Sequence, residues 1–328
     1  MAATLVEAGV IEDAVGSACR APSQHNSQPW QWVFSDGRLR LFLDPSRVMD
    51  TDQSARQALI GCGAALDHLR VAMAAAGWRA HIDRFPNPDS PNHLASIDFT
   101  PIEFMTERDR RRAGAIWERR TDRLPFSTPT DWMSFEPVMT TSIDGSAVHA
   151  EIIPENLRPQ LLEAAQMAES LRLHDSSYHD ELHWWTAPFE AEEGIPHSSL
   201  VSAAESDRVG VGRVFPVISG PERRTEVSED HSMILVLSTD HANRADALAS
   251  GEALSATLLE CTMAGFATCP VTHITELPAT RDLIRSLMHH DAVPQVLVRV
   301  GVVPLAEKPP RPTPRRPLSE VLRLRAFD

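Results

Sequence analysis

Lysine is almost missing from this chain. Of 31 basic residues in 328, Lys308 is the only lysine, and the rest are arginines. Schiff-base, Walker-type and Ser-Lys chemistries therefore have no lysine in a suitable motif. Arginine instead offers fixed, forked donors suited to phosphate. Cysteine is scarce as well. Cys19, Cys62, Cys261 and Cys269 form no CxxC pair and sit in apolar or helical contexts. That predicts small buried thiols in a reducing compartment rather than a disulfide framework or a zinc site. No apolar run approaches the roughly 20 residues that cross a bilayer. The segment MAATLVEAGVIEDAV is acidic where a signal peptide would be basic. The expectation is a cytoplasmic protein. There is no G-x-S-x-G elbow and no Walker loop. GVGRVF, around Gly210 and Gly212, lacks the third glycine and the strand-turn-helix setting of a dinucleotide fingerprint.

What is present describes a globular chain, 42% hydrophobic, with a mean hydropathy of -0.22. Its length suits two ordinary domains or one large one. A formal net charge of -14 and a pI near 5.4 oppose nucleic acid and anionic membrane as partners, because both call for a cationic field.

Periodicity organises the chain. Leu5, Val6, Val10, Ile11, Val15 and Ala18 predict a helix over 3–19, stopped by Pro22. QWVF and RLRLFLD alternate as strands around the turn Ser35-Asp36-Gly37. Residues 54–77 read as one long helix whose Gly61, Gly63, Ala64 and Ala65 suit close packing on another helix. WRAHIDRF and HLASIDFT predict a strand pair, and TERDRRRAGAIWERR a charged helix. The pattern then recurs: VHAEIIP as strand, NLRPQLLEAAQMAESLRL as helix, HSMILVLS as strand, a small-residue helix ending MAGFATCPV, and VPQVLVRVGVV as strand. The fold class expected is α+β, in two related halves, 1–112 and 113–328, each with a mostly antiparallel sheet and long packed helices. Residues 187–230 are irregular and acidic, as a lid or loop would be. The proline-rich, basic tail 308–328 reads as an arm wrapping the other half.

Two groups of residues stand out chemically. ERRTDRLPF places Arg119, Arg120 and Arg123 around Thr121 where a helix meets a loop. Such runs are ordinarily solvated helix faces. They are also what a phosphate clamp requires, and Arg311, Arg315 and Arg316 form a second cationic cluster in an acidic chain. HDELH, His179 to His183, imitates a zinc motif but has Asp180 in place of glutamate and no third ligand by spacing, so no metal site is expected. His289-His290 reads as a pair answering a helix dipole. The polar stretch APSQHNSQPW, residues 21–30, is by itself a proline-bracketed connector.

Together these motifs carry a resemblance. APS-x-x-N-x-QPW resembles the hallmark of the flavin-dependent nitroreductase superfamily, and RRTDRLPF resembles its R-x-S-x-R segment. In that superfamily two subunits exchange these pieces around two FMN molecules. Here each motif occurs once, in a different half. With ARQALIGCGAALDHLRVAMAAAGW, this resembles the actinobacterial Acg family of nitroreductase-like proteins, over nearly the whole chain.

The resemblance implies a monomer acting as an intramolecular pseudo-dimer with one FMN. It assigns Pro22, Ser23, Gln24, His25, Asn26 and Gln28 to the ring's pyrimidine edge and ribityl chain. Arg119, Arg120, Thr121 and Arg123 would meet ring O2/N1, ribityl and phosphate, and Arg315 and Arg316 would grip the phosphate. Cys269 and Pro270 would pass backbone near flavin N5. Thr121 replaces the usual serine and keeps the hydroxyl. No catalytic residue is assigned, because the flavin carries the chemistry. A lid bearing Glu190, Glu192, Glu193, Glu229 and Asp230 would hinder NAD(P)H sterically and by charge. The resemblance thus favours flavin sequestration or storage with weak or no turnover. The alternatives are an active NAD(P)H-dependent nitroreductase or quinone reductase, with a nitro or quinone acceptor, and a flavin-free scaffold.

Overall fold

The structure is a computed structural model that describes residues 5–143, 147–187, 193–218, 221–304, 307 and 311–325. Helix α1 (Ala8–Ala18) leads into the hairpin β1 (Trp30–Ser35) and β2 (Arg38–Leu43). That turn holds Asp36 at φ 55° and Gly37 at φ 70°, the twist a two-residue hairpin prefers. Next come α2 (Arg56–Ala75), β3 (Trp78–Arg84), β4 (His93–Pro101) and α3 (Glu107–Glu118). The sequence predicted the first helix over 3–19. It begins only at Ala8, leaving Leu5 60% exposed. Thr106 and Asp109 form a reciprocal capping box that starts α3. Residue 112 lies inside α3, so the two sequence halves meet within one continuous helix.

The second stretch contains α4 (Trp132–Thr141), β5 (His149–Ile153), α5 (Arg158–Arg172), α6 (Ser176–Trp185) and α7 (Ala203–Asp207). It continues with β6 (Met233–Thr239), α8 (Arg244–Met263), β7 (Ala267–Val271), α9 (His273–Glu276), α10 (Pro278–Ser286) and β8 (Val293–Gly301). The chain closes with α11 (Leu318–Val321) and β9 (Leu322–Leu324). One sheet has the order β3-β4-β2-β1-β9 and the other β5-β6-β8-β7. Every pairing is antiparallel except β1 with β9, where Trp32 faces Leu322 and Phe34 faces Leu324 in parallel. The class is α+β. The C-terminal arm thus crosses over to complete the N-terminal sheet.

Helices α2 and α8 cross between the sheets. A Cβ on Gly63 would collide with the Leu248 carbonyl, and one on Gly251 with the Ile60 carbonyl. The two backbones touch because neither position carries a side chain. Asp67 and Ser255 also meet there, at 2.6 Å. With a mean hydropathy of 1.3, α2 is long and apolar enough to cross a membrane, contrary to the reading of the apolar runs. It is instead buried against α1, α3 and α8.

Candidate functional site

The loop after α1 is held in a conformation its residues do not favour. His25, Asn26 and Gln28 adopt φ values of 50°, 61° and 53°, a region unfavourable for residues with a Cβ. Surrounding hydrogen bonds hold it there. The Gln28 amide donates to Ser23 Oγ at 3.0 Å, and Asn26 Nδ2 donates to the Gly194 and Pro314 carbonyls at 3.1 and 3.2 Å. The Arg316 amide donates to Gln28 Oε1 at 2.9 Å. Segments from three parts of the chain therefore clamp one loop.

Beside this loop is a small cavity of about 70 Å3 lined by Arg20, Arg119, Arg120, Arg123 and Arg315. Arg119 sits there because α3 ends at its extended C-cap, φ -54° and ψ 131°. None of the five makes an ion pair with a described carboxylate. Their donors go to carbonyls: Arg119 to Arg20 O at 3.2 Å, Arg20 to Thr313 O at 3.0 Å, and Arg315 to Cys19 O at 2.8 Å and Arg20 O at 3.1 Å. Arg119 Nε and Nη1, Arg120 Nε and Arg20 Nε are buried without any partner. Burial, followed by the neighbouring Arg20 and Arg120, pulls Arg119 down to about 10. Burial and then Arg20 and Arg119 hold Arg315 well below its ordinary value. Crowded cations without counter-ions make a site for an anion.

Pro22, Ser23, His25, Thr121 and Arg123 are shared with a larger cavity of about 350 Å3. Its floor comes from α2 (Gln57, Ile60, Gly61), Leu254 of α8 and the strand Cys269–Val271. Val209 to Phe215 cover it. His25 meets the Phe215 ring edge-on at 6.0 Å, and the Arg123 guanidinium lies over that ring at 5.1 Å. Arg213 is paired with Glu276, which also binds Arg172 at 2.9 Å. Both ring nitrogens of His273 are buried and unpartnered, and buried His25 Nε2 makes no hydrogen bond but lies 3.7 Å from Glu181 Oε1. Burial, then Arg213, keeps both imidazoles neutral, pushing His273 down to about 3 and His25 well below its usual range. Burial raises the Cys269 thiol, which leaves it inert.

Most residues singled out by sequence come together here. Pro22, Ser23, Gln24, His25, Thr121, Arg123, Cys269 and Pro270 line the larger cavity. Asn26, Arg119, Arg120 and Arg315 line the smaller. Gln28 and Arg316 line neither; they bind each other, and Arg316 Nη1 lies 4.0 Å from Asp44. Sequence reasoning missed Arg20, Gln57, Phe215 and His273. Only Arg20, adjoining the APSQHN motif, offered a local signal. The segment GVGRVF, dismissed as a nucleotide fingerprint, supplies part of the cavity cover.

Of the acid charges expected to face the cavity, the three described ones do not. Glu190 and Glu192 lie outside the described residues. Glu193 is paired with Arg47. Asp230 is buried against Arg299 at 2.7 Å, where it also accepts from the Phe126 amide at 2.8 Å. Glu229 is exposed. Among the described residues of 187–230, Asp207 and Arg213 bring charge to the cavity lining. HDELH lies on α6, and among the described residues no group of His, Cys, Asp and Glu is arranged to hold a metal. His289 and His290 bind Glu151, at 2.6 and 3.2 Å, rather than the carbonyls ending α10.

No family model matches the chain. It is 58% identical over 326 residues to a Mycobacterium tuberculosis protein provisionally named NAD(P)H nitroreductase Acg, covering 99% of this chain and 98% of that one. A second protein of that organism, also provisionally named an NAD(P)H nitroreductase, is 33% identical over 321 residues, covering 96% and 92%. Among solved structures, the FMN-dependent nitroreductase NfnB of Mycobacterium smegmatis, in complex with NADPH, gives a TM-score of 0.41 at 14% identity over 67% of this chain and 100% of that one. On the strength of its full-length relatives, the chain belongs to the Acg-like family of the nitroreductase superfamily.

Proposed function

We propose that this protein binds one FMN between its two halves and holds it sequestered. The observation that carries this reading is the cluster of buried Arg119 with half-buried Arg20, Arg120, Arg123 and Arg315. It has no carboxylate partner among the described residues and adjoins a second cavity of mixed lining, where neutral His25 and His273 stand beside Arg123, Arg213 and Asp207. A phosphate would satisfy the arginines' orphaned N–H groups. The two unpartnered ring nitrogens of His273 suit the polar edge of a ring. Bound there, the flavin would supply two-electron redox chemistry. The protein's residues would hold and enclose it, and none is assigned a catalytic step.

Sequestration is favoured over turnover by the cover. It is pinned at His25, Arg123 and Glu276, and a nicotinamide cofactor would have to displace it. The relatives' names favour the second reading, an active NAD(P)H-dependent nitroreductase. Anaerobic rapid mixing with NADPH decides between them. The purified yellow protein should keep its flavin oxidised over many seconds. Bleaching within milliseconds would establish turnover, and a colourless protein that takes up no added FMN would end the flavin reading.

A further inference from the structure

A third cavity, of about 510 Å3, adjoins the ring cavity on the side away from the arginine cluster, with Gln24 and Gln57 in the walls of both. We infer that it is a second binding site, for a small organic carboxylate that also carries a hydrogen-bond donor.

The argument rests on which groups in its wall are already paired. Glu276 is taken up by Arg172 and Arg213. Asp52 accepts from the Ala58 amide at 3.0 Å, at the start of α2. Arg56 and Arg281 have no described carboxylate partner. Arg56 donates to the Gln295 and Thr275 carbonyls at 2.9 and 2.7 Å, and Arg281 donates to Thr275 O at 2.7 Å. The inner wall thus holds Arg56 and Arg281 outside any described ion pair, with Glu276 acting on both at longer range. Arg172 is 5% exposed and Gln57 3%, yet Arg172 Nε and Gln57 Nε2 have no acceptor, and Gln24 Oε1 has no donor. Buried donors and acceptors are rarely left unmade without a ligand or water to complete them. Two unmet donors and one unmet acceptor are the complement of a carboxylate bearing a nearby hydroxyl.

Charge sets the class of anion. Asp52 and Glu276 stand in the same wall, and Asp50 and Asp175 at its exposed edge. Together they would repel a dianion such as inorganic phosphate more than a monoanion. The volume also exceeds what an inorganic ion fills and falls within the range of small-molecule sites. The inference does not depend on the flavin reading, since the wall is complete without it.

The test is calorimetric titration of the full-length protein, as purified, with 4-hydroxybenzoate, phenol and inorganic phosphate. One saturable site for 4-hydroxybenzoate is expected, with phenol and phosphate at least about tenfold weaker. Arg172→Lys keeps the charge opposite Glu276 but removes the Nε donor, and should weaken 4-hydroxybenzoate by about tenfold. Arg281→Gln, at a more open position, should weaken it several-fold, and decides the matter if Arg172→Lys does not fold. Saturating FMN should leave the affinity within about twofold. No saturable binding at millimolar probe, equal binding of phosphate, competition by FMN, or wild-type affinity in the folded variants would each overturn the inference.

Discussion

Arg119 is most plainly a cation whose position costs stability in the ligand-free protein. It is 6% exposed, stands among other cations, and has two N–H groups without acceptors. Removing such a charge relieves repulsion and desolvation in the ligand-free protein. Arg119→Met should therefore weaken FMN binding by about 10–100-fold, the worth of one or two charge-assisted hydrogen bonds. The same change should leave the resistance of the apo protein to urea unchanged or raised, a trade of stability for function. Fluorescence titration and urea melts on the same preparation measure both. FMN affinity within twofold of wild type would remove Arg119 from the site. Neighbouring residues can differ sharply. Arg315 enters the cavity and Arg316 does not, because consecutive side chains point apart along an extended, proline-rich arm. In the sequence the two looked equivalent.

Among the elements, the crossing of α2 and α8 matters most, because both helices contribute to the ring cavity floor. Gly63→Val would push a side chain into the Leu248 carbonyl. It should cost about 3 kcal/mol of stability, as overpacking at a rigid contact does, and lower FMN affinity by displacing Gln57 and Ile60. Gly114→Ala in α3, with nothing within 4 Å of the added methyl, should instead be neutral or stabilise by up to about 1 kcal/mol. Thermal melts of the two variants check the contrast. Equal effects would mean that the crossing has slack. The small-residue pattern of α2 and α8 was legible beforehand, since close helix contact selects glycine. The helix α4 was not: TDWMSFEPVMTT carries Pro137 within it and lacks a strong stop signal.

For the molecule as a whole, three buried imidazoles lower stability in acid, opposed in part by Asp52, Glu169, Glu181 and Glu252, whose carboxyls burial raises. His68 and His273 are pushed down to about 3 by burial, and then by Arg119 and Arg213 respectively, and His25 is also lowered well below its usual range. Each is neutral when folded and takes a proton near pH 6.5 when unfolded. The unfolded state then binds more protons, so the contribution of each is complete above about 6.5 and is lost as pH falls toward 3. Stability should fall from pH 7 to pH 5, approaching about 1.4 kcal/mol per pH unit for each histidine. Urea melts at pH 7.5, 6.5 and 5.5 give the slope, and a flat profile would show that these rings are hydrated or partnered.

The sequence by itself determined the long helices and most strands, though not α4 or β9, together with the rejection of lysine chemistry and the two motifs that match a flavin superfamily. Those properties rest on periodicity and on residue type over short windows, where local physics decides. Only the tertiary structure decided that Arg20, Arg119, Arg120, Arg123 and Arg315 converge, although they are spread over almost the whole chain. It alone placed Phe215 and His273 at the cavity, turned Asp230 inward to Arg299, and carried β9 into the other half's sheet. These are contacts between distant segments. Which segments meet follows from how the apolar faces of whole elements pack, and no short window of residues records that.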